Sequence, residues 1–209
     1  MSLSANPVPT FASMFESLTG YAPYPWQERL FLRFLADTYP PEINLPTGSG
    51  KTAIMAIWLA ALAHQVAEGG AGTMIPRRLA WVVDRRVVVD QATEEAERIR
   101  ARLEGASSRD LLWVAETLQS INANPGNPLA ISTLRGERED NREWSQDPSR
   151  PAIVVGTVDM IGSRLLFSGY GDGPYWAARH AGLLGHDALI INDEALVAAP
   201  VEAVQSQGN

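Results

Sequence analysis

The 209-residue chain, with 45% hydrophobic and 20% charged residues, has the makeup of one globular domain, or of one and a half. It holds no apolar run that could span a bilayer, no signal-peptide pattern over residues 1–10 and no cysteine. The expectation is therefore a cytoplasmic protein without membrane contact, disulfides or thiolate metal sites. A net charge of −7 argues against a strongly cationic nucleic-acid binder, but not against a motor that grips one strand through local backbone contacts.

In chain order, Phe11, Met14, Phe15 and Leu18 have helical spacing and predict a short amphipathic helix, stopped by Gly20. Pro25 suits the first turn of a second helix, whose apolar face is Leu30, Phe31, Phe34 and Leu35. Gln27 reads either as a surface glutamine or as an amide that reads the adenine edge, since an amide donates and accepts together. Residues 42–45 predict a strand. It feeds Pro46-Thr47-Gly48-Ser49-Gly50-Lys51-Thr52, a phosphate-binding loop ahead of a helix over 51–67. Gly48 and Gly50 permit φ values that turn backbone N–H groups toward one anion. Lys51, the single lysine among 17 basic residues, would reach the β- and γ-phosphates of ATP, and the Thr52 hydroxyl would hold Mg²⁺. Leu45 stands where the strict motif has glycine, so the match is to the shorter Pro-Thr-Gly-Ser-Gly-Lys-Thr form.

After the glycine-rich stretch 69–72, residues 79–83 predict a buried strand ending at Asp84-Arg85-Arg86, and a helix over 87–103 follows. Arg85 and Arg86 would lie at the C-terminal end of a strand, where open α/β sheets take their ligands; the alternative is helix capping and solvent exposure. A helix over 111–121 and a strand over 129–133 come next. Arg135, just past that strand, reads equally as a phosphate contact or a solvated charge. The polar segment 138–150, with its one Trp144, predicts a surface excursion. A strand over 151–156 leads into a helix through about 166, with Thr157 placed to cap it. Residues 168–173 read as a loop, and Arg179, His180 and His186 as flanking a second loop without metal-ligand spacing. The last strand, 187–192, delivers Asp193 and Glu194. Alone, such a pair is commonly a helix N-terminus. Behind a phosphate loop in the same α/β chain it reads as catalytic, with Asp193 holding Mg²⁺ through its water shell and Glu194 polarising the attacking water.

This order of elements resembles the first RecA-like domain of a superfamily 2 helicase, over residues 21–196. Tyr24-Pro-Trp-Gln27 resembles the adenine-reading Q motif, 45–52 motif I, Val82-Val-Asp-Arg-Arg86 motif Ia, Val155-Gly-Thr-Val-Asp159 motif Ib, and Asp193-Glu-Ala-Leu196 the DEAD/DEAH box. The resemblance implies an α/β fold: a RecA-like P-loop NTPase sheet with helices on both faces. It also implies an extension over 1–20 and an ATP-binding domain over 21–209, using ATP and Mg²⁺. Single-stranded DNA would be held through Arg85, Arg86, Arg135 and Thr157, by phosphate and sugar rather than base.

A narrower resemblance is carried by Thr133-Leu-Arg-Gly136, Trp144, Asp147-Pro148, Gly156-Thr-Val-Asp-Met-Ile161, Arg164-Leu-Leu-Phe-Ser-Gly-Tyr-Gly171 and His180-Ala-Gly-Leu-Leu-Gly185. Together these are similar to the CRISPR-associated helicase-nuclease of type I systems, in the subtype once called U. That family is recruited by an RNA-guided surveillance complex and pulls the displaced strand 3′ to 5′ toward an HD nuclease. Another superfamily 2 motor, such as a restriction translocase subunit, and an inactive nucleotide-binding fragment are the alternatives. Leu196 replaces the usual DEAH histidine, and Glu137 a frequent second glycine. No Ser-Ala-Thr motif III, second RecA-like domain, arginine finger or HD cluster is present in these residues. The expectation is one half of a motor, whose sheet lacks the strand between the phosphate-loop strand and the Asp193 strand.

Overall fold

The computed structural model describes residues 7–46, 48–70, 72–84, 86–124, 126–134, 142–169 and 172–193, with backbone only at Arg86 and Val87. The elements are α1 (Phe11–Thr19), α2 (Pro25–Leu35), a 3₁₀ turn (Lys51–Ala53) running into α3 (Ile54–Gly69), β1 (Arg78–Val83), α4 (Arg86–Glu104) and α5 (Arg109–Gln119). They continue with β2 (Ala130–Leu134), α6 (Glu143–Gln146), β3 (Ala152–Thr157), α7 (Val158–Leu165), α8 (Pro174–His186) and β4 (Ala188–Asn192). The four strands form one parallel sheet in the order β2-β3-β1-β4. The α/β expectation therefore stands, and the fold is that of a RecA-like domain.

The central strands β1 and β3 are buried on both faces because helices cover both, whereas Ile190 of β4 is exposed. Strand alternation sorts the core into two layers. Leu79, Trp81, Val83, Ile131, Ile153 and Val155 face the layer built by α1 to α5. Ala80, Val82, Ala130, Leu134, Ala152 and Val154 face the layer of Trp144, Met160, Ile161 and Leu184. Helix α3 is apolar all round and lies inside the first layer, with Ile54 to Ala63 buried without a break. The α1 helix belongs to the same core: Met14, Phe15 and Leu18 are buried there, so the segment expected as an extension supplies part of the domain's packing.

Helices α4 and α5 carry the chain from β1 to β2 on one face, whereas α7 and α8 carry it from β3 to β4 on the other. The adjacent strands β1 and β3 thus send their connections to opposite faces. Their C-terminal ends, Val83 beside Thr157, form a topological switch point, where open α/β sheets form a ligand crevice.

Three expectations fail. Residues 42–45 form no strand and join no ladder among the described residues. A strand is defined by its neighbour, and β4 ends the described sheet with nothing beyond it for this segment to pair with. Arg179, His180 and His186, read as flanking a loop, all lie in the helix α8. Its buried positions Ala177, His180, Ala181 and Leu184 keep the helical i, i+3, i+4, i+7 spacing, but a histidine and two alanines blur the apolar signal, while Pro174 opens the first turn. The segment around Trp144 is no surface excursion, because Trp144 is fully buried under β2 and β3.

Beside Trp144 lies a polar network that the local sequence could not show. His180 pairs through Nδ1 with Asp172 at 2.7 Å and through Nε2 with the Ser145 hydroxyl at 3.3 Å, and its ring lies 4.8 Å from that of Trp144. The Arg179 guanidinium donates to the Ser145 carbonyl at 3.0 and 2.6 Å. The Ser–His–Asp order is that of a hydrolytic triad, but the side chains of His180 and Asp172 and the whole of Ser145 are sealed from solvent. The cluster ties α6 to α8.

Candidate nucleotide site

The loop at 46–52 is held mainly from its helix side. Its carbonyl at Pro46 accepts the Ser49 hydroxyl at 2.6 Å and the Ser49 N–H at 3.3 Å, which closes a tight turn. Gly48 and Gly50 have φ of 80° and 77°, in the left-handed region, so the two glycines are required by the backbone path. The Gly50 carbonyl accepts the Ala53 N–H at 3.1 Å, so the helix begins as a 3₁₀ turn before α3 proper. Gly48 and Gly50 are exposed, Lys51 and Thr52 half-buried, and Lys51 enters no ion pair among the described residues. An exposed glycine turn with an uncommitted lysine, at the positive end of a buried helix, is a donor set suited to a triphosphate. Thr47 lies outside the described residues.

Gln27 is not a surface residue. It is 2% exposed, and both ends of its amide are committed. Oε1 accepts the Tyr24 N–H at 2.8 Å, and Nε2 donates to the Gly50 carbonyl at 3.3 Å. A Cβ at Gly50 would sit 3.2 Å from that Nε2 and 3.7 Å from the Tyr24 ring. Gln27 therefore fastens the start of α2 to the phosphate loop, and Tyr24, 55% exposed, leans on the same loop. The bracing role and the position of Tyr24 were hidden in the sequence, since the contact joins residues 23 positions apart.

Asp193 follows β4, and its N–H donates to the Val82 carbonyl at 2.9 Å, which places it at the C-terminal end of β1. Helix α4 leaves that same end and packs against the Lys51–Ala53 turn. Both halves of the candidate site are thus built around the C-terminal end of one central strand. Lys51, Thr52 and Asp193 would hold ATP and Mg²⁺, and the bound metal would supply charge neutralisation at the phosphates. Glu194 lies outside the described residues.

Of the expected nucleic-acid residues, Thr157 is at the switch point, facing Val83 across the β1–β3 ladder. It occupies the N-cap position of α7 with extended backbone, yet its side chain makes no capping bond, contrary to expectation. Its hydroxyl is therefore not spent on the helix. The Arg86 side chain, Arg85 and Arg135 lie outside the described residues.

Comparison with protein families matches residues 21–196 to the type III restriction enzyme, res subunit. The chain belongs to this family. It is a family of superfamily 2 helicase-like motors, so the chain carries an ATP-binding motor domain of that kind; such domains in general use ATP and Mg²⁺ and act on nucleic acid. Comparison with curated proteins and with solved structures gives no match. No described helix is long and apolar enough to cross a membrane.

Proposed function

We propose that the chain is the ATP-binding half of an ATP-driven DNA translocase. Residues 46–52 cradle the phosphates, Lys51 neutralises their charge, Thr52 and Asp193 hold Mg²⁺, and Glu194 orients the attacking water. Single-stranded DNA lies across the strand ends at Arg85, Arg86, Arg135 and Thr157. A second RecA-like half supplies the arginine finger and completes hydrolysis. The reading is carried by the left-handed glycine turn that presents Lys51 at the head of a buried helix and is braced by Gln27.

Two finer readings of the motor's biology each have an observation in favour. The string from Thr133 to Gly185 supports a CRISPR-associated helicase of type I interference, working with an RNA-guided surveillance complex and an HD nuclease. The family match favours a restriction translocase subunit. In the intact protein, Lys51→Ala is expected to abolish DNA-stimulated ATP hydrolysis, and an unchanged rate would overturn the motor assignment. Stimulation by an R-loop but not by linear duplex selects the first biology, and the reverse selects the second.

A further inference from the structure

Strand β4 is bonded to β1 on one side and ends the described sheet. A strand held on one side can slip, and because strand side chains alternate, a slip of one residue turns each of them to the opposite face. Besides its ladder to β1 and the packing of Leu189 and Ile191, two contacts fix the ends of β4. At its far end the Asp193 N–H meets the Val82 carbonyl. At its start the Asp187 carboxylate accepts the Arg77 N–H at 2.9 Å through Oδ1 and the Arg78 guanidinium at 3.0 Å through Oδ2.

Arg78 is 1% exposed, although the rest of β1 is apolar. One arm of its guanidinium also reaches the Asp187 carbonyl at 3.4 Å, and the other donates to the Pro148 carbonyl ahead of β3. In the ladders Arg78 stands opposite Ala188 on one side and Ala152 on the other. A single guanidinium therefore ties the starts of β1, β3 and β4 at one level. Burying a charge is costly, and its bonds are specific in direction, whereas apolar contacts along Ala188 to Ile191 would tolerate a shifted strand.

We propose that the Arg78–Asp187 pair is the register pin of β4 and that, by fixing where this strand starts, it fixes where Asp193 is presented beside Val82. The two residues lie about 20 Å of strand from Asp193 and act through β4 without touching the nucleotide site, as positioning residues. The consequence for metal binding rests on the reading of Asp193 as the acid that holds Mg²⁺.

The test uses the full chain and three variants, Asp187→Asn, Asp187→Glu and Arg78→Lys. Hydrogen–deuterium exchange reads how firmly β4 is held in its ladder. In Asp187→Asn the amides of 188–193 are expected to exchange about tenfold faster, while those of β3 are unchanged. Titration of Mg²⁺ against a fluorescent ATP analogue reads the consequence. The concentration for half-maximal Mg²⁺-dependent binding is expected to rise about fivefold, with binding in EDTA unchanged and Asp187→Glu partly restored. A folded Asp187→Asn variant with wild-type exchange in β4 overturns the proposal, and so does global unfolding of all three variants, since the pair would then support the whole fold rather than one strand. Failure of the Asp193 reading looks different: the wild type would show no Mg²⁺ dependence, or Asp193→Asn would leave it unaltered, and the exchange result would still decide the register pin.

Discussion

Replacing Gln27 with alanine separates two roles that a glutamine near a nucleotide can have. The amide is 2% exposed and makes one short bond from the Tyr24 N–H (2.8 Å) and one longer bond to the Gly50 carbonyl (3.3 Å). Truncation leaves the Tyr24 N–H without its acceptor, while the Gly50 carbonyl keeps the Ala53 N–H. At roughly 1 kcal/mol for the first bond and less for the second, the loss is about 1–2 kcal/mol of stability. For a chain of this length that lowers the melting temperature by about 3–6 °C. If Gln27 acts by bracing the loop, part of the same free energy is lost from phosphate binding, about a fivefold weakening, and the base does not matter. Fluorescent ATP and GTP analogues titrated into wild type and Gln27→Ala should then lose affinity by the same factor. A variant that loses ATP affinity tenfold or more while binding GTP as before would refute the bracing argument and show that the amide changes partners to read adenine.

Gly48→Ala and Gly50→Ala each force a side chain into the left-handed region, at a cost of about 1–2 kcal/mol. Only the second also places a Cβ 3.2 Å from Gln27, so ATP titrations should show the larger loss for Gly50→Ala, and the double variant with Gln27→Ala should lose less than the sum. Burial, reinforced by the charge of Asp37, raises the Tyr39 phenol from 10.0 to about 12. The unfolded chain therefore ionises this group first, and stability falls as pH rises from about 10 to 12. Tyr39→Phe should flatten that alkaline limb in thermal melts, and an unchanged limb would contradict it. At neutral pH the substitution should cost little, because the Tyr39 hydroxyl meets no hydrogen-bond partner among the described residues.

Features written in neighbouring residues were legible in the sequence. The glycine turn, Pro25 opening α2, Gly20 closing α1 and the apolar runs of β1, β3 and β4 follow from local chemistry, and the structure places them within a residue or two. Features that depend on pairing across the chain were not. Trp144 reads as exposed beside Arg142, Glu143 and Asp147, and it is buried because distant parts of the chain cover it, the apolar faces of β2 and β3 and the ring of His180, 36 positions on. Gln27 stayed open between a surface residue and an adenine-reading amide for the same reason, its second partner being Gly50. The Arg78–Asp187 pair was not read at all, since nothing near Arg78 in sequence announces Asp187.

The unpaired segment 42–46 sharpens what holds the phosphate loop. A loop between a strand and a helix is ordinarily fixed from both sides, yet here the leading segment joins no ladder among the described residues, and only Ile43 within it packs partly against the core. The helix side compensates. Ten consecutive residues of α3, Ile54 to Ala63, are buried, and the Trp58 indole donates to the Pro76 carbonyl at 2.8 Å, so the helix cannot shift without disrupting the first core layer. Gln27 adds a second fixed point from α2, itself packed on α3. Lys51 and Thr52 thus have their positions set by α2 and α3, whereas Asp193 has its position set by β4. β1 and α4 join these two supports, and Leu189 and Ile191 of β4 pack on the shared core. Nucleotide affinity through the loop should therefore survive perturbations of β4 that displace the acidic half, and the separation of EDTA-resistant from Mg²⁺-dependent binding measures that division directly.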